Sequence, residues 1–287
     1  MLNVLSNLFV AAVLAGTPLL LGALGEILTE KAGNMNLGVE GMMFMGAITG
    51  LVSSYYYEQL VLNAGGTPSG FVSAFVALIA SFIAGAFGAL IYSFLTITLR
   101  ANQNVTGLTL TIFGTGFANF FGEFFAQKAG GYIAVTDVTK KAFVGLNLRA
   151  VGESPATADA AGIPIETYKY AATIIGGGIC GIGGMYMSMV TTSGVWVHGC
   201  VGGYGWLAVA LVIFATWSPA RAVLVSVVFG GLTVMRMYIS IPGLPTQIYD
   251  MIPYIATILV LVFTSMHENK EHAQPKSCGI NYFREER

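Results

Sequence analysis

Charged side chains are scarce in this sequence. Asp, Glu, Lys and Arg make up only 9% of its 287 residues, whereas 55% are hydrophobic and the mean hydropathy is +0.73. Soluble domains carry about 25% charged residues, so a chain this poor in charge lacks the polar surface that water requires. We therefore expect it to lie in a membrane. The net charge of −1 and the lack of a basic patch argue against a nucleic-acid partner.

The sequence also lacks the residue groups that catalysis and metal binding use. Its three cysteines, Cys180, Cys200 and Cys278, are far apart, which fits neither a disulfide framework nor a metal-ligand pattern. No histidine cluster or Ser/His/Asp arrangement stands out, and the lack of any Gly-Lys pair excludes a Walker ATP site. We therefore expect no catalytic residue, no metal and no cofactor on this chain, which argues against an enzyme.

Long apolar runs dominate what is present. A helix needs roughly 20 mostly apolar residues to cross a bilayer. Eight runs approach that length: 6–28, 38–58, 71–99, 104–126, 168–192, 204–218, 220–239 and 250–266. They predict an all-α polytopic membrane protein with about eight transmembrane helices. The sixth and seventh runs are short and divided by Ser218-Pro219, so they form either two spans or a broken pair.

The chain divides into a membrane domain and a tail. Residues 1–266 hold all the apolar runs and are expected to form the transmembrane domain. Residues 267–287 are charged and lack periodicity, so we expect a solvated cytoplasmic tail. Within the domain, Gly46-x-x-x-Gly50 and Gly177-x-x-x-Gly181 have the spacing that lets helices approach closely in lipid. We interpret both as packing motifs, since the spacing alone does not imply oligomerisation.

Basic residues predict the orientation, because cytoplasmic loops carry an excess of Lys and Arg. They form two groups: Lys31 and Arg100 before residue 127, and Arg149, Lys169, Arg221 and the basic residues of the tail after it. A single apolar run, 104–126, separates the groups, so they would lie on opposite sides. The stretch 127–148 contains charged residues that are costly in the bilayer. Either the first group faces outside or a span is missing around 127–148, and we favour the missing span.

Polar residues within or beside the apolar runs are candidates for a transport path. Asn36 and Glu40 lie at the start of the second run, and Asn104 and Thr109 at the start of the fourth. Amides and hydroxyls form hydrogen bonds without charge, which suits a neutral polar solute such as a nucleoside or sugar. The alternatives are helix capping for the asparagines and, for Glu40, compensation of a helix N-terminus.

One polar, Ala/Gly-rich island interrupts the apolar pattern at residues 149–163. Ser154 and Pro155 are typical of a helix start, the alanines that follow favour helix, and Gly162 with Pro164 would end it. This indicates a helix of about two turns with small side chains on the water side. Such a helix suits insertion into a groove of a partner protein.

Four ordered stretches resemble one family. They are Thr17–Met43, Val105–Gly116, Leu148–Ile163 and Gly205–Phe214. Together they are similar to permeases of bacterial ABC importers for simple sugars, nucleosides and branched-chain amino acids, and most similar to the nucleoside permeases. That family usually has a further span between the match to 104–126 and the polar island, in agreement with the charge pattern.

The resemblance implies a role for the island as a cytoplasmic coupling helix, within a coupling loop of residues 148–166, that docks on an ATPase. The residues it assigns to docking are Arg149, Gly152, Glu153, Ser154, Pro155, Ala158 and Gly162. It also implies ATPase subunits that carry ATP and Mg, a second permease in a heterodimer, and an extracellular solute-binding lipoprotein. The expected location is the bacterial cell membrane, among its lipids.

The sequence thus predicts a nucleoside permease subunit driven by ATP hydrolysed on its partners. A simple-sugar permease, for pentoses, is the alternative within the same family. An ion-driven secondary transporter would instead couple through buried ionisable groups, without an ATPase. A membrane-embedded enzyme has no catalytic constellation to support it.

Overall fold

The computed structural model describes residues 2–135, 164–238, 245–266 and 278–281. Its described residues form eight α-helices: α1 (Leu2–Lys31), α2 (Val39–Asn63), α3 (Gly70–Ser93), α4 (Gln103–Lys128), α5 (Ile165–Tyr186), α6 (Tyr204–Phe214), α7 (Pro219–Tyr238) and α8 (Thr246–Met266). α3 and α5 each end in a π-helical turn, Phe94–Thr98 and Met187–Thr191. All eight predicted runs are therefore helical, and the all-α membrane fold is confirmed.

The helices differ in how much of a bilayer they can cross. By length and apolar composition, Leu5–Lys31, Gly70–Thr98 and Ile165–Thr191 can each span a membrane. α2 and α4 have 25 and 26 residues but are more polar. α6 has only 11 residues, or about 16 Å at 1.5 Å per residue, which is half of a hydrocarbon core of about 30 Å. The sixth run therefore forms only about half a span, whereas the seventh run forms α7, a helix of 20 residues.

Glycines let the central helices α1, α2, α3 and α5 approach backbone to backbone. A Cβ on Gly46 would overlap the backbone of Gly181, and one on Gly177 would meet the Ala89 side chain and the backbone of Gly85. Both predicted glycine motifs thus pack helices of the same chain against one another, as expected. The apolar core around them includes Met42, Met43, Phe44, Ile48, Leu51 and Ala77.

The helix ends define two faces of the bundle. At the inner end lie Lys31, Arg100, the start of α4 and the start of α5, because Arg100, Gln103 and Lys169 line one cavity there. At the outer end the segment after α4 meets the segment after α5, where Val135 N donates to Gly194 O at 3.0 Å. Lys31, Arg100, Lys169 and Arg221 share the inner end, which the excess of positive charge assigns to the cytoplasm.

This arrangement settles the question raised by the charge pattern. Arg100 and Lys169 lie at the same end, so the first basic group does not face outside. Residue 135 lies at the outer end and residue 164 at the inner end, and residues 136–163 join them in sequence. Those residues, including the predicted docking residues from Arg149 to Gly162, lie outside the described part of the chain. Their docking role stays a prediction, as does the division at residue 266.

Candidate functional site

A segment without helical structure, residues 32–38, lies inside the bundle between α1 and α2. It runs beside the first turns of α4: Met35 N donates to Gln103 Oε1 at 2.7 Å, and Thr111 Oγ1 donates to Leu37 O at 3.0 Å. Because Thr111 is eight residues into α4, α2 begins about 10 Å inward from the inner end. Irregular backbone at membrane depth has to find partners inside the protein, and these side chains supply them.

A second irregular segment, residues 192–203, descends from the outer end to the start of α6. Trp196 N donates to Ile133 O at 3.2 Å, near the outer end. Seven residues later Gly203, with φ of 84°, precedes the first residue of α6. Gly205 packs against the backbone of Glu40, in the first turn of α2. Two helices therefore start inside the membrane, and their N-termini meet.

Glu40 joins these two helix N-termini. Its Oε1 accepts a hydrogen bond from Gly203 N at 3.2 Å, and its side chain is only 8% exposed. A carboxylate near a helix N-terminus is stabilised by the unpaired N–H groups there. The expected helix-terminus role is therefore seen, although the helix served is α6 and not only its own α2. Its second oxygen, Oε2, has no described partner at hydrogen-bond geometry, and the backbone N–H of Trp206 also acts on the carboxylate.

Asn36 shapes the turn that leads into α2. Its Oδ1 accepts from Gly38 N at 2.9 Å, and its own N–H donates to Glu26 Oε1 at 2.9 Å. This is an Asx turn, in which the side-chain oxygen of Asn accepts from the backbone two residues on, and not the expected helix cap, because the N-terminus of α2 has no side-chain cap. Asn36 is buried, and it connects the irregular segment to α1. The structure thus brings Asn36 and Glu40 into one polar region.

The other two candidate path residues lie elsewhere. Asn104 and Thr109 are exposed on α4, on a face that also exposes Val105 and Leu108. The Thr109 hydroxyl donates to Val105 O at 2.8 Å within its own helix. They are therefore not part of the Asn36–Glu40 region. Asn102, not Asn104, caps α4, since its side chain accepts from Val105 N at 3.0 Å.

Two carboxyl groups lie one turn apart near the inner end of α1. Glu26 is fully buried and Glu30 is 4% exposed, and the two side chains interact with each other. Trp217, just after α6, donates its indole N–H to Glu30 Oε2. Both carboxyl groups are therefore buried and partnered at the end of α1. The chain returns over this end and covers the two glutamates.

The indole of Trp217 gives a direct test of this cluster. In Trp217→Phe the Glu30 carboxyl loses a donor while the apolar packing is largely kept. A hydrogen bond to such a group is worth about 1.5–3 kcal/mol, so we expect the purified protein to unfold at a temperature several degrees lower. Trp206→Phe, at an indole that is 39% exposed, is the control and should change the melting temperature little. Equal shifts in the two variants would contradict the role of the indole.

Charged residues at the outer end form a separate, exposed group. His198 Nε2 lies 3.5 Å from Glu123 Oε2, with both side chains more than half exposed, and His198 Nδ1 lies 3.2 Å from Asn119 Oδ1. Exposed pairs contribute little stability. Glu123 and His198 thus lie at the exposed outer end of the bundle.

Sequence reasoning missed three features of the inner end. Glu30 and Trp217 are 187 residues apart, and no local pattern connects them. Lys169 was used only as an orientation marker, yet it is 4% exposed. Asn281 lies in the tail that was expected to be solvated, yet its side chain hydrogen-bonds to the turn before α4. Of these three features, only the burial of Lys169 could be suspected from the sequence, because this lysine lies inside the apolar run 168–192.

The sequence matches the profile of a family described as "Branched-chain amino acid transport system / permease component" over residues 8–133 and 131–261. The chain belongs to this permease family. No solved structure matches the permease. Its eight helices and its discontinuous N-termini inside the membrane are in keeping with a multi-pass transport subunit of the plasma membrane.

Three relatives align with the permease over almost its whole length. It is 33% identical to a putative glucose ABC transporter permease protein, TsgC13, of Haloferax volcanii, over 98% of each chain. It is 27% identical to the guanosine ABC transporter permease protein NupQ of Bacillus subtilis, over 99% of each chain. It is 26% identical to the nucleoside ABC transporter permease protein NupC of Lactococcus lactis, over 98% of each chain.

These alignments are longer than the permease itself. The alignment with the Haloferax protein runs over 339 positions against 287 residues, so at least 52 positions hold no residue of this chain. The two matched pieces of the family profile meet at residues 131–133. Both observations are in keeping with a segment of the relatives that has no counterpart in this chain.

Proposed function

We propose that this permease is the membrane subunit of an ABC importer that carries nucleosides across the cell membrane. ATP hydrolysed on partner ATPase subunits would drive the transport, and a solute-binding protein outside the cell would deliver the nucleoside. The observation that carries the proposal is the alignment, over 98–99% of both chains, with two relatives named as guanosine and nucleoside permeases.

The polar region at the start of α2 supports a neutral solute rich in hydroxyl groups. Glu40 Oε2 is a buried acceptor without a described partner at hydrogen-bond geometry, and a ribose hydroxyl is a donor that fits it. The region lies where two helices begin inside the membrane, an arrangement that many transporters use to bind their solutes. Asn36 stabilises this region because its side chain accepts a hydrogen bond in the turn that leads into α2.

The transport test uses the complete importer. The permease, its ATPase and its binding protein would be reconstituted in proteoliposomes, and uptake of labelled guanosine and uridine would be measured with ATP inside. We expect uptake that requires both ATP and the ATPase subunit. Uptake that persists without the ATPase would favour an ion-driven transporter and overturn the proposal.

A sugar is the second candidate solute, because the relative with 33% identity is named as a putative glucose permease. Measuring the affinity of the cognate binding protein for guanosine, uridine, ribose and glucose separates the two candidates. Tighter binding of a nucleoside supports the proposal. Tighter binding of glucose or ribose would indicate that the importer carries a sugar.

Substitutions in the polar island test the coupling role. Gly152→Leu and Glu153→Ala are expected to lower uptake about tenfold or more, as the loss of about 1.4 kcal/mol at an interface would do. The permease should still reach the membrane, and less ATPase should copurify with it. Glu123→Ala, at the exposed outer end, is the control. Unchanged uptake in Glu153→Ala and Gly152→Leu would refute docking through the island.

A further inference from the structure

A small cavity, with an enclosed volume of about 30 Å³, opens to solvent at the inner end, between the ends of α3, α4 and α5. Its walls carry two cations, Arg100 and Lys169, and three side-chain amides, those of Asn34, Gln103 and Asn281. Four separate parts of the chain contribute to it. Among the described residues, Glu40 is not part of the lining of this cavity, which lies at the inner end of the segment 32–38.

Lys169 is the buried cation of this cavity. Its side chain is only 4% exposed, and no carboxylate among the described residues lies within 4.0 Å of its ammonium group. Cys278 is a neighbour that acts on it electrostatically, but no carboxylate of the described residues accompanies it. Burying a charge without a counter-charge is costly, so this site favours an anion.

The start of α5 faces the same cavity. Ile165 and Glu166 are among the lining residues, and Pro164 caps the helix without a side-chain hydrogen bond. The first N–H groups of a helix attract anions when no side chain satisfies them. The Glu166 carboxylate opposes an anion, but its side chain is exposed to solvent, so water weakens the repulsion.

The tail segment forms one wall of the cavity. Asn281 Nδ2 donates to Arg100 O at 2.7 Å, and Gln103 Nε2 donates to Asn281 Oδ1 at 3.2 Å. Gly279 lies beside Met35, in the irregular segment 32–38. The tail therefore ties the turn between α3 and α4 to the rest of the inner end and holds the amides around Lys169.

We propose that this cavity binds a phosphate group, held by the Lys169 ammonium, the side-chain amides of Asn34 and Gln103 and the N-terminus of α5. A phosphate presents several acceptor oxygens. Asn34 Nδ2 already donates to Thr173 Oγ1 at 2.9 Å and Gln103 Nε2 to Asn281 Oδ1 at 3.2 Å, so each amide offers its second N–H to the phosphate. Two sources share this chemistry at the cytoplasmic end, a soluble phosphate or phosphate ester and the headgroup of an anionic lipid. Bound there, the phosphate would tie the start of α5, which follows the coupling loop, to the ends of α3 and α4.

Thermal unfolding of the purified full-length permease tests the site. Inorganic phosphate, compared with chloride at equal ionic strength, is expected to raise the melting temperature by about 2–4 °C. The second arm compares the melting temperature in nanodiscs of phosphatidylglycerol with that in nanodiscs of phosphatidylcholine. A rise in the first arm assigns a soluble phosphate, and a rise only in the second assigns a lipid headgroup.

Lys169→Gln should abolish the rise, whereas Lys169→Arg should keep it. The control is Lys128→Gln, at an exposed lysine that lies over the Phe124 ring at 4.5 Å, and it should behave like the parent. If Lys169→Gln fails to fold, Asn281→Ala tests the wall of the cavity instead. We expect this variant to need a several-fold higher phosphate concentration for half of the rise in melting temperature. No rise in either arm, or an undiminished rise in Lys169→Gln or Asn281→Ala, would overturn the proposal.

Discussion

Gly46→Ala is expected to disrupt the centre of the permease. The added methyl group would lie under 3 Å from three backbone atoms of Gly181 on α5, and backbone cannot rotate away as a side chain does. Forcing α2 and α5 apart also opens the packing of Gly85 and Gly177 on α3 and α5. Overpacking of this kind costs about 1–3 kcal/mol or more, so we expect a lower melting temperature and less folded protein in the membrane.

Gly116→Ala provides the matched comparison. Gly116 also lies within a helix, α4, but a Cβ there meets nothing within 4 Å. Removing the extra backbone freedom of glycine stabilises a helix by up to about 1 kcal/mol, so this variant should be as stable as the parent or slightly more so. The close approach of α2 and α5 is refuted if the two variants have equal melting temperatures.

Glu40→Ala is expected to stop transport. The change removes the acceptor of Gly203 N and leaves the start of α6 with unpaired donors inside the membrane, at a cost of about 1–3 kcal/mol. It also removes the acceptor proposed for the solute. We therefore expect both a lower melting temperature and the loss of uptake in proteoliposomes.

Glu40→Gln separates these two effects. The amide oxygen can still accept from Gly203 N, so the melting temperature should stay near that of the parent. Its NH₂ group replaces the acceptor Oε2 with donors, so the KM for the solute should rise while the protein stays folded. A Glu40→Gln variant with parental KM would show that Glu40 holds α6 but does not contact the solute.

Much of the fold could be predicted, because lipid permits few solutions. All eight apolar runs are helices, and the short sixth run was recognised from Ser218-Pro219. The basic residues and the single run at 104–126 also indicated that the chain has to regain the inner end before α5. These predictions depend on hydropathy and charge, which act along the chain and are visible in it.

The site was less predictable, because its contacts join distant residues. Asn36 and Glu40 could be suspected from their positions at the start of an apolar run. Asn104 and Thr109 could not be placed on the exposed side of α4 without knowing that α4 packs mainly on α2. Glu40 contacts Gly203, and Glu30 contacts Trp217, because two segments fold back into the bundle. The sequence carries no periodic signal for such segments.

The short length of α6 has a consequence for the permeability barrier. A full span separates the two sides by about 30 Å of hydrocarbon, but α6 covers only about 16 Å of it. A solute that reaches Gly203 from the outer side would therefore have only the length of α6 left to cross. The change between outward and inward states then has to open and close a seal about half as thick as the bilayer.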